Sequence, residues 1–137
     1  MSMTETTTDN APAVERAADD KVLVALSHGP EEPENVLIAY LMAVEAVRAG
    51  KETAMWLTKD GVTIAEAGAA ETVVVDGAPS ISALHDEYVA AGGRFLVCPV
   101  CVKLRNLGDA IWSEGAEVAG APSVYEFADG GALVFNY

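Results

Sequence analysis

Gly93-Arg94-Phe95-Leu96-Val97-Cys98-Pro99-Val100-Cys101-Val102-Lys103-Leu104-Arg105 is the stretch on which the fold turns. Phe95-Leu96-Val97 is a short unbroken apolar run, the pattern of a strand covered on both faces. Gly92-Gly93 separates it from what precedes, and Pro99 suits the first turn of a helix starting just after Cys98. A buried strand feeding a helix is half of a βαβ unit, the unit from which parallel sheets are built. The same stretch holds both cysteines and three of the eight basic residues of a 137-residue chain.

Working backward, Ser80 is a good cap for a helix carrying Ile81, Leu84, Tyr88 and Val89. Thr72-Val73-Val74-Val75 reads as a strand closed by Asp76-Gly77-Ala78-Pro79. Thr53-Ala54-Met55-Trp56-Leu57 reads as another, followed by a turn at Thr58-Lys59-Asp60-Gly61-Val62 and a short helix to Ala67. Upstream lies a helix from about Glu34 to Ala49, apolar nearly all the way round and ended by Gly50. The first strand is Val22-Leu23-Val24-Ala25-Leu26, stopped by Ser27-His28-Gly29-Pro30. Working forward, a short helix starts at Asp109-Ala110-Ile111-Trp112, and a last helical turn passes through Tyr125 and Phe127. Gly130-Gly131 then leads to a final strand, Leu133-Val134-Phe135. Strands alternating with helices define an α/β fold, a three-layer sandwich with a mostly parallel sheet of about five strands, Rossmann-like or flavodoxin-like.

Residues 1–20 carry five acids and one Arg without a sustained apolar period, so they are expected to form a disordered acidic tail, leaving 21–137 as a single domain. A helix without a polar face should pack on its sheet with one side and on another subunit with the other, which predicts a homo-oligomer. With 8 basic against 21 acidic residues the chain carries −13, a charge that repels nucleic acid and anionic lipid. The longest apolar run, Val36 to Val44, is far short of the roughly 20 residues a membrane span needs. The polar start has no basic or apolar leader region, so the expected location is cytoplasmic.

Ligands of open parallel sheets bind outside the carboxyl ends of the strands. That edge collects Ser27-His28-Gly29, Thr58-Lys59-Asp60-Gly61, Asp76-Gly77-Ala78 and Cys98-Pro99-Val100-Cys101. A thiol at a helix N-terminus meets free backbone N–H groups and the positive end of the dipole, which favour thiolate. Arg94, Lys103 and Arg105 add positive charge, with no acid between residues 94 and 105. His28 is placed to act as base or hydrogen-bond partner to Cys98, and Asp60 shares its edge. The C-x-x-C spacing also admits a dithiol oxidoreductase. A zinc site needs more ligands than one such pair supplies, and no metal is expected. Neither a G-x-G-x-x-G nor a P-loop motif is present, so no nucleotide cofactor is expected.

Taken together, Val22–Leu26 with its Ser-His-Gly loop, the long apolar helix, Asp60-Gly61-Val62, Phe95-Leu96-Val97-Cys98-Pro99-Val100-Cys101 and Leu104-Arg105-Asn106-Leu107 resemble the DsrE/DsrF-like family of small sulfur-relay proteins. The resemblance spans about residues 21–137. It implies a parallel five-stranded α/β fold, assembly as trimers or hexamers, and sulfur donor and acceptor proteins as partners. It further implies that Cys98 carries sulfane sulfur as a persulfide, as a sulfurtransferase or carrier. On the residues' own placement, Cys101 is the expected resolving thiol, and Arg94, Arg105 and Asp60 are the expected substrate-binding residues. Asn106 stands where relatives commonly have Gly, and Cys101 is absent from the best-understood carriers. The alternative is an oligomeric binding or scaffold protein of the same fold with structural or redox-responsive cysteines.

Overall fold

Side-chain alternation along the central strands decides the layering. In β1 (Lys21–Leu26), Val22, Val24 and Leu26 point to one face and Leu23 to the other. In β2 (Glu52–Leu57) Met55 and Leu57 join the first face and Ala54 and Trp56 the second, and in β3 (Arg94–Val97) Phe95 and Val97 oppose Leu96 in the same way. Apolar residues on both sides leave no solvated face, so both must be covered. The computed structural model describes residues 21–137, and the expected acidic tail lies outside the described residues.

The sheet has five parallel strands in the order β4-β3-β2-β1-β5, with β4 at Ala116–Val118 and β5 at Leu133–Asn136. From β1 the chain steps one strand at a time to β4, then jumps back across the sheet to β5 beside β1. α1 (Pro33–Arg48) and α2 (Ile81–Ala90) cover the first face during the outward steps. Reversing direction while keeping a right-handed crossover obliges the next helix onto the opposite face. α4 (Ala121–Ala128) does this, packing Phe127 and Val124 on Leu23, Ala54 and Leu96. The result is the three-layer α/β sandwich expected from the sequence.

Three expectations are corrected. Thr72–Val75 is not a strand. A short 3-10 helix, Ala69–Thr72, runs into irregular chain in which Val73 is buried under α2 and Val74 points to solvent. Four β-branched residues suit a strand only where a place in the sheet is free, and β4 occupies the one beside β3. β4 itself, Ala-Glu-Val, is too short to show a period. The helix expected from Asp109 is absent: Trp112 instead bridges Glu66 in antiparallel fashion, with Ala67 N–H on Ile111 O and Ser113 N–H on Ala65 O. The turn and short helix after β2 are replaced by a single 3-10 helix, Lys59–Ala65.

α1 finds most of its cover inside the domain. Its second side meets α2, where the buried Tyr40 hydroxyl lies 2.7 Å from His85 Nδ1 and His85 stacks on Phe95 at 5.3 Å. Ile38 and Leu41 are its exposed apolar side chains, on a face shared with Glu34, Glu45 and Arg48. Among the described residues no helix is long and apolar enough to cross a membrane.

Candidate functional site

Two glycines bring the carboxyl-edge loops together. A Cβ on Gly29 would fall 2.4 Å from Asp60 O, and one on Gly61 would fall 2.3 Å from Leu26 O and 3.4 Å from His28 O. The Ser-His-Gly and Asp-Gly motifs therefore interlock backbone against backbone, at distances no side chain permits. Thr58 N–H donates to Leu26 O at 3.1 Å, and Thr63 Oγ1 to Asp60 O at 2.8 Å, completing the junction.

Cys98 follows β3 directly and caps α3 (Pro99–Leu104). Its N–H donates to Leu57 O at 3.0 Å and its carbonyl accepts Val102 N–H at 3.0 Å, which fixes its backbone between β2 and the helix. Its side chain makes no capping hydrogen bond, and Pro99 at the first turn offers no N–H. The helix is only six residues long, so less of the expected dipole is available than a full-length helix would supply.

Cys101 sits one turn on, and both cysteines are half-buried free thiols packed against the main core. Lys59 N–H donates to Cys101 Sγ at 3.0 Å. Lys59 reaches it with φ +51, a left-handed conformation that costs a non-glycine residue roughly 1–2 kcal/mol. Burial pushes the Cys101 thiol above its ordinary value, and the neighbouring Cys98 adds to this. The Lys59 N–H and the Arg105 charge pull the other way without prevailing.

Arg105 ends the helix. Its Nε donates to Asp60 Oδ1 at 2.8 Å and its Nη1 to Cys101 O at 3.3 Å. Its position is set by a Schellman motif: Leu107 N–H donates to Val102 O at 3.0 Å and Asn106 N–H to Lys103 O at 3.1 Å, with Asn106 at φ +55. That left-handed position explains the residue choice. Glycine is the easiest occupant, and asparagine tolerates it better than other side chains.

Of the six site residues expected from the sequence, the structure brings four together: Cys98, Cys101, Asp60 and Arg105. Arg94 does not join them. It begins β3, about 13 Å of strand from Cys98 at 3.3 Å per residue, where it bonds Glu117 Oε1 at 3.2 Å and lies over the Phe127 ring. His28 makes no hydrogen bond to either cysteine among the described residues. Its Nδ1 lies 3.0 Å from Glu31 Oε2, while Gly29 N–H donates to Glu31 Oε1 at 2.8 Å. Burial alone would lift the Glu31 carboxyl, but the hydrogen bonds from His28, Gly29 N–H and its own backbone together outweigh it and hold it below its ordinary value.

The expected electropositive island is thereby reduced: Arg94 and Arg105 are both ion-paired, and Lys103 is exposed to solvent. Two participants escaped the sequence reading, the Lys59 backbone N–H and the Glu31 carboxylate. A backbone donor on a positive-φ residue leaves no compositional mark, whereas His28-x-x-Glu31 is a visible pair. No group of three or more His, Cys, Asp or Glu side chains is placed to hold a metal among the described residues. A cavity of about 530 Å³ opens away from the cysteines, beside His85, Asp86 and Trp112.

The DsrE/DsrF-like family profile matches residues 20–137. This chain belongs to the DsrE/DsrF-like family. The structure of YchN from E. coli shares the fold, with a TM-score of 0.70 at 16% identity, over 87% of this chain and 99% of that one. Among curated relatives, this DsrE/DsrF-like chain is 28% identical over 100 residues to the uncharacterized protein MK0008 of Methanopyrus kandleri, covering 73% of the chain and 79% of that protein. It is 23% identical over 108 residues to the uncharacterized protein MJ0760 of Methanocaldococcus jannaschii. That match covers 79% of this chain but only 39% of the longer relative.

Proposed function

We propose that the protein carries sulfane sulfur as a persulfide on Cys98 and discharges it with Cys101 as resolving thiol. The observation that carries this reading is the pair itself: two thiols one helical turn apart at the carboxyl edge, one capping α3 and the other hydrogen-bonded to Lys59 N–H. Family membership supports the same class of chemistry.

Loading begins when the Cys98 thiolate attacks the outer sulfur of a donor persulfide. A Cys98 S–S bond forms, the donor S–S bond breaks, and the donor leaves as thiolate with the electron pair. Two routes then empty the site. An acceptor thiolate can attack the outer sulfur, and Cys98 leaves as thiolate. Alternatively Cys101 loses its proton to solvent and attacks Cys98 Sγ, forming a Cys98–Cys101 disulfide and expelling hydrosulfide. The sulfane sulfur is then reduced and the two cysteines oxidised, and two equivalents of an external thiol restore the dithiol. Cys101 suits the second step by position, one helical turn from Cys98 with its Sγ accepting from Lys59 N–H.

Single turnover on the persulfide-loaded protein tests this. Wild type should release sulfide and close a disulfide, whereas Cys101→Ala should load and hold its sulfur. Equal sulfide release from the two would remove Cys101 from the mechanism.

The scaffold reading draws on one observation, that the Lys59–Cys101 bond ties two loops together. It requires Cys98 to be inert toward persulfide donors. Assembly into a homo-oligomer, a trimer or hexamer, belongs to the proposal and is supported by exposed Ile38 and Leu41 on α1 and by Val134 and Tyr125 beside the thinly covered face of the sheet. Light scattering of the purified protein decides it, and a monomer at working concentration would refute it.

A further inference from the structure

Arg105 makes an unusual pair of contacts. Its Nε holds Asp60, the residue after Lys59, and its Nη1 holds the carbonyl of Cys101. Those two segments are the ones joined by the 3.0 Å bond from Lys59 N–H to Cys101 Sγ. One guanidinium thus spans the donor segment and the acceptor segment of a hydrogen bond in which it takes no part.

The bond needs such support. Lys59 is held at φ +51, where a side chain costs stability, so the loop would relax if released. Sulfur is also a weak acceptor while it carries a proton, so a neutral Cys101 does little to hold the N–H in place. The N–H matters most when negative charge collects on Sγ, which happens as Cys101 becomes a nucleophile. Arg105 can grip in this way because the Schellman motif at Asn106 fixes where the helix ends, and the interlocked Gly29 and Gly61 fix where the Asp60 loop lies. A lysine has the same charge but donates from a single nitrogen, without the planar fork that here places Nε on Asp60 and Nη1 on the Cys101 carbonyl.

We propose that Arg105 is a positioning residue that clamps Asp60 and the Cys101 carbonyl, holds Lys59 N–H against Cys101 Sγ, and thereby sets the rate at which Cys101 discharges Cys98. The discharge step rests on the persulfide reading above, but the clamp does not. In the discharge, Cys101 Sγ gives its proton to solvent and bonds to Cys98 Sγ as hydrosulfide leaves. The Lys59 N–H neither gives nor takes a proton.

Two measurements separate the clamp from the persulfide reading. In Cys98→Ser protein, the pH dependence of Cys101 alkylation reads the thiol alone, with no persulfide involved. Arg105→Lys should move that profile to higher pH and slow alkylation about tenfold at a fixed pH, a lost charge-assisted hydrogen bond's worth. Asp60→Ala should do the same, and the two together should do no more than either, since one clamp cannot be broken twice. In protein with both cysteines, release should slow about tenfold more than loading. Arg105 and Asp60 side chains are 28% and 51% exposed, so neither change hollows the core, and a urea midpoint confirms folding. A wild-type Cys101 profile in Arg105→Lys overturns the clamp, as do additive effects of the two changes. Failure to load any sulfur overturns the carrier reading and leaves the alkylation result to stand for the clamp.

Discussion

Gly61→Ala is the sharpest test of how the site is built. The added Cβ would lie 2.3 Å from Leu26 O, against the 3.3–3.6 Å of an ordinary carbon–oxygen contact, an overlap of about 1 Å. The neighbour is backbone at the end of a central strand, so no side chain can swing aside. Either β1 shifts or the Thr58–Gly61 loop lifts. The latter stretches the 3.1 Å bond from Thr58 N–H to Leu26 O, worth about 1 kcal/mol, on top of about 2 kcal/mol for overpacking. The expected loss is therefore about 3 kcal/mol. Gly68→Ala is the control. Gly68 has φ +82 and open space around it, so only the left-handed backbone cost of about 1–2 kcal/mol applies there. Urea unfolding of the two variants should show a clearly lower midpoint for Gly61→Ala at an unchanged slope. Because the lifted loop carries Lys59 and Asp60, Cys101 alkylation should also change in Gly61→Ala and stay constant in Gly68→Ala. Equal stability of the two variants, or an unaltered Cys101 in Gly61→Ala, would refute the interlocked-loop account.

Other outcomes follow from the same geometry. Asn106 is exposed at φ +55, so Asn106→Gly should stabilise the protein by a few tenths of a kcal/mol and Asn106→Ala destabilise it by about 1 kcal/mol, read from urea midpoints. Burial lowers His85 below 6.5, so the unfolded chain takes up its proton first as the solution is acidified. The stability His85 contributes is complete above pH 6.5 and declines as pH falls through its folded value; the urea midpoint should drop across that window, and His85→Gln should flatten the drop. Tyr40→Phe removes the buried hydroxyl 2.7 Å from His85 Nδ1, and should cost about 1 kcal/mol, read from the urea midpoint.

The parts of the fold that were legible in the sequence are those buried on both sides. Val22–Leu26 and Phe95–Val97 read as strands because a parallel sheet under two helical layers leaves no polar alternation to confuse them. Thr72–Val75 carried an equally good strand pattern and packs outside the sheet, while Ala116–Val118, with a glutamate at its centre, takes the edge place. Pattern records what a segment prefers to bury, and partner availability decides where it goes. The site divides along similar lines. Cys98, Cys101, Asp60 and Arg105 were legible from topology, because Cys98 and Asp60 lie just beyond strands and Cys101 and Arg105 follow on the short helix that Cys98 opens. Arg94 begins its strand, and the parallel direction places it at the amino edge. The Lys59 contact depends on one backbone angle, which no residue type announces. The meaning of Asn106 emerged only once its left-handed position was seen.

Intact mass after incubation with a persulfide donor tests the central claim most directly. Wild type should gain one sulfur that a thiol reductant removes, and Cys98→Ala should gain none. No gain in wild type, or the same gain in Cys98→Ala, would contradict the assignment of Cys98 as the carrier.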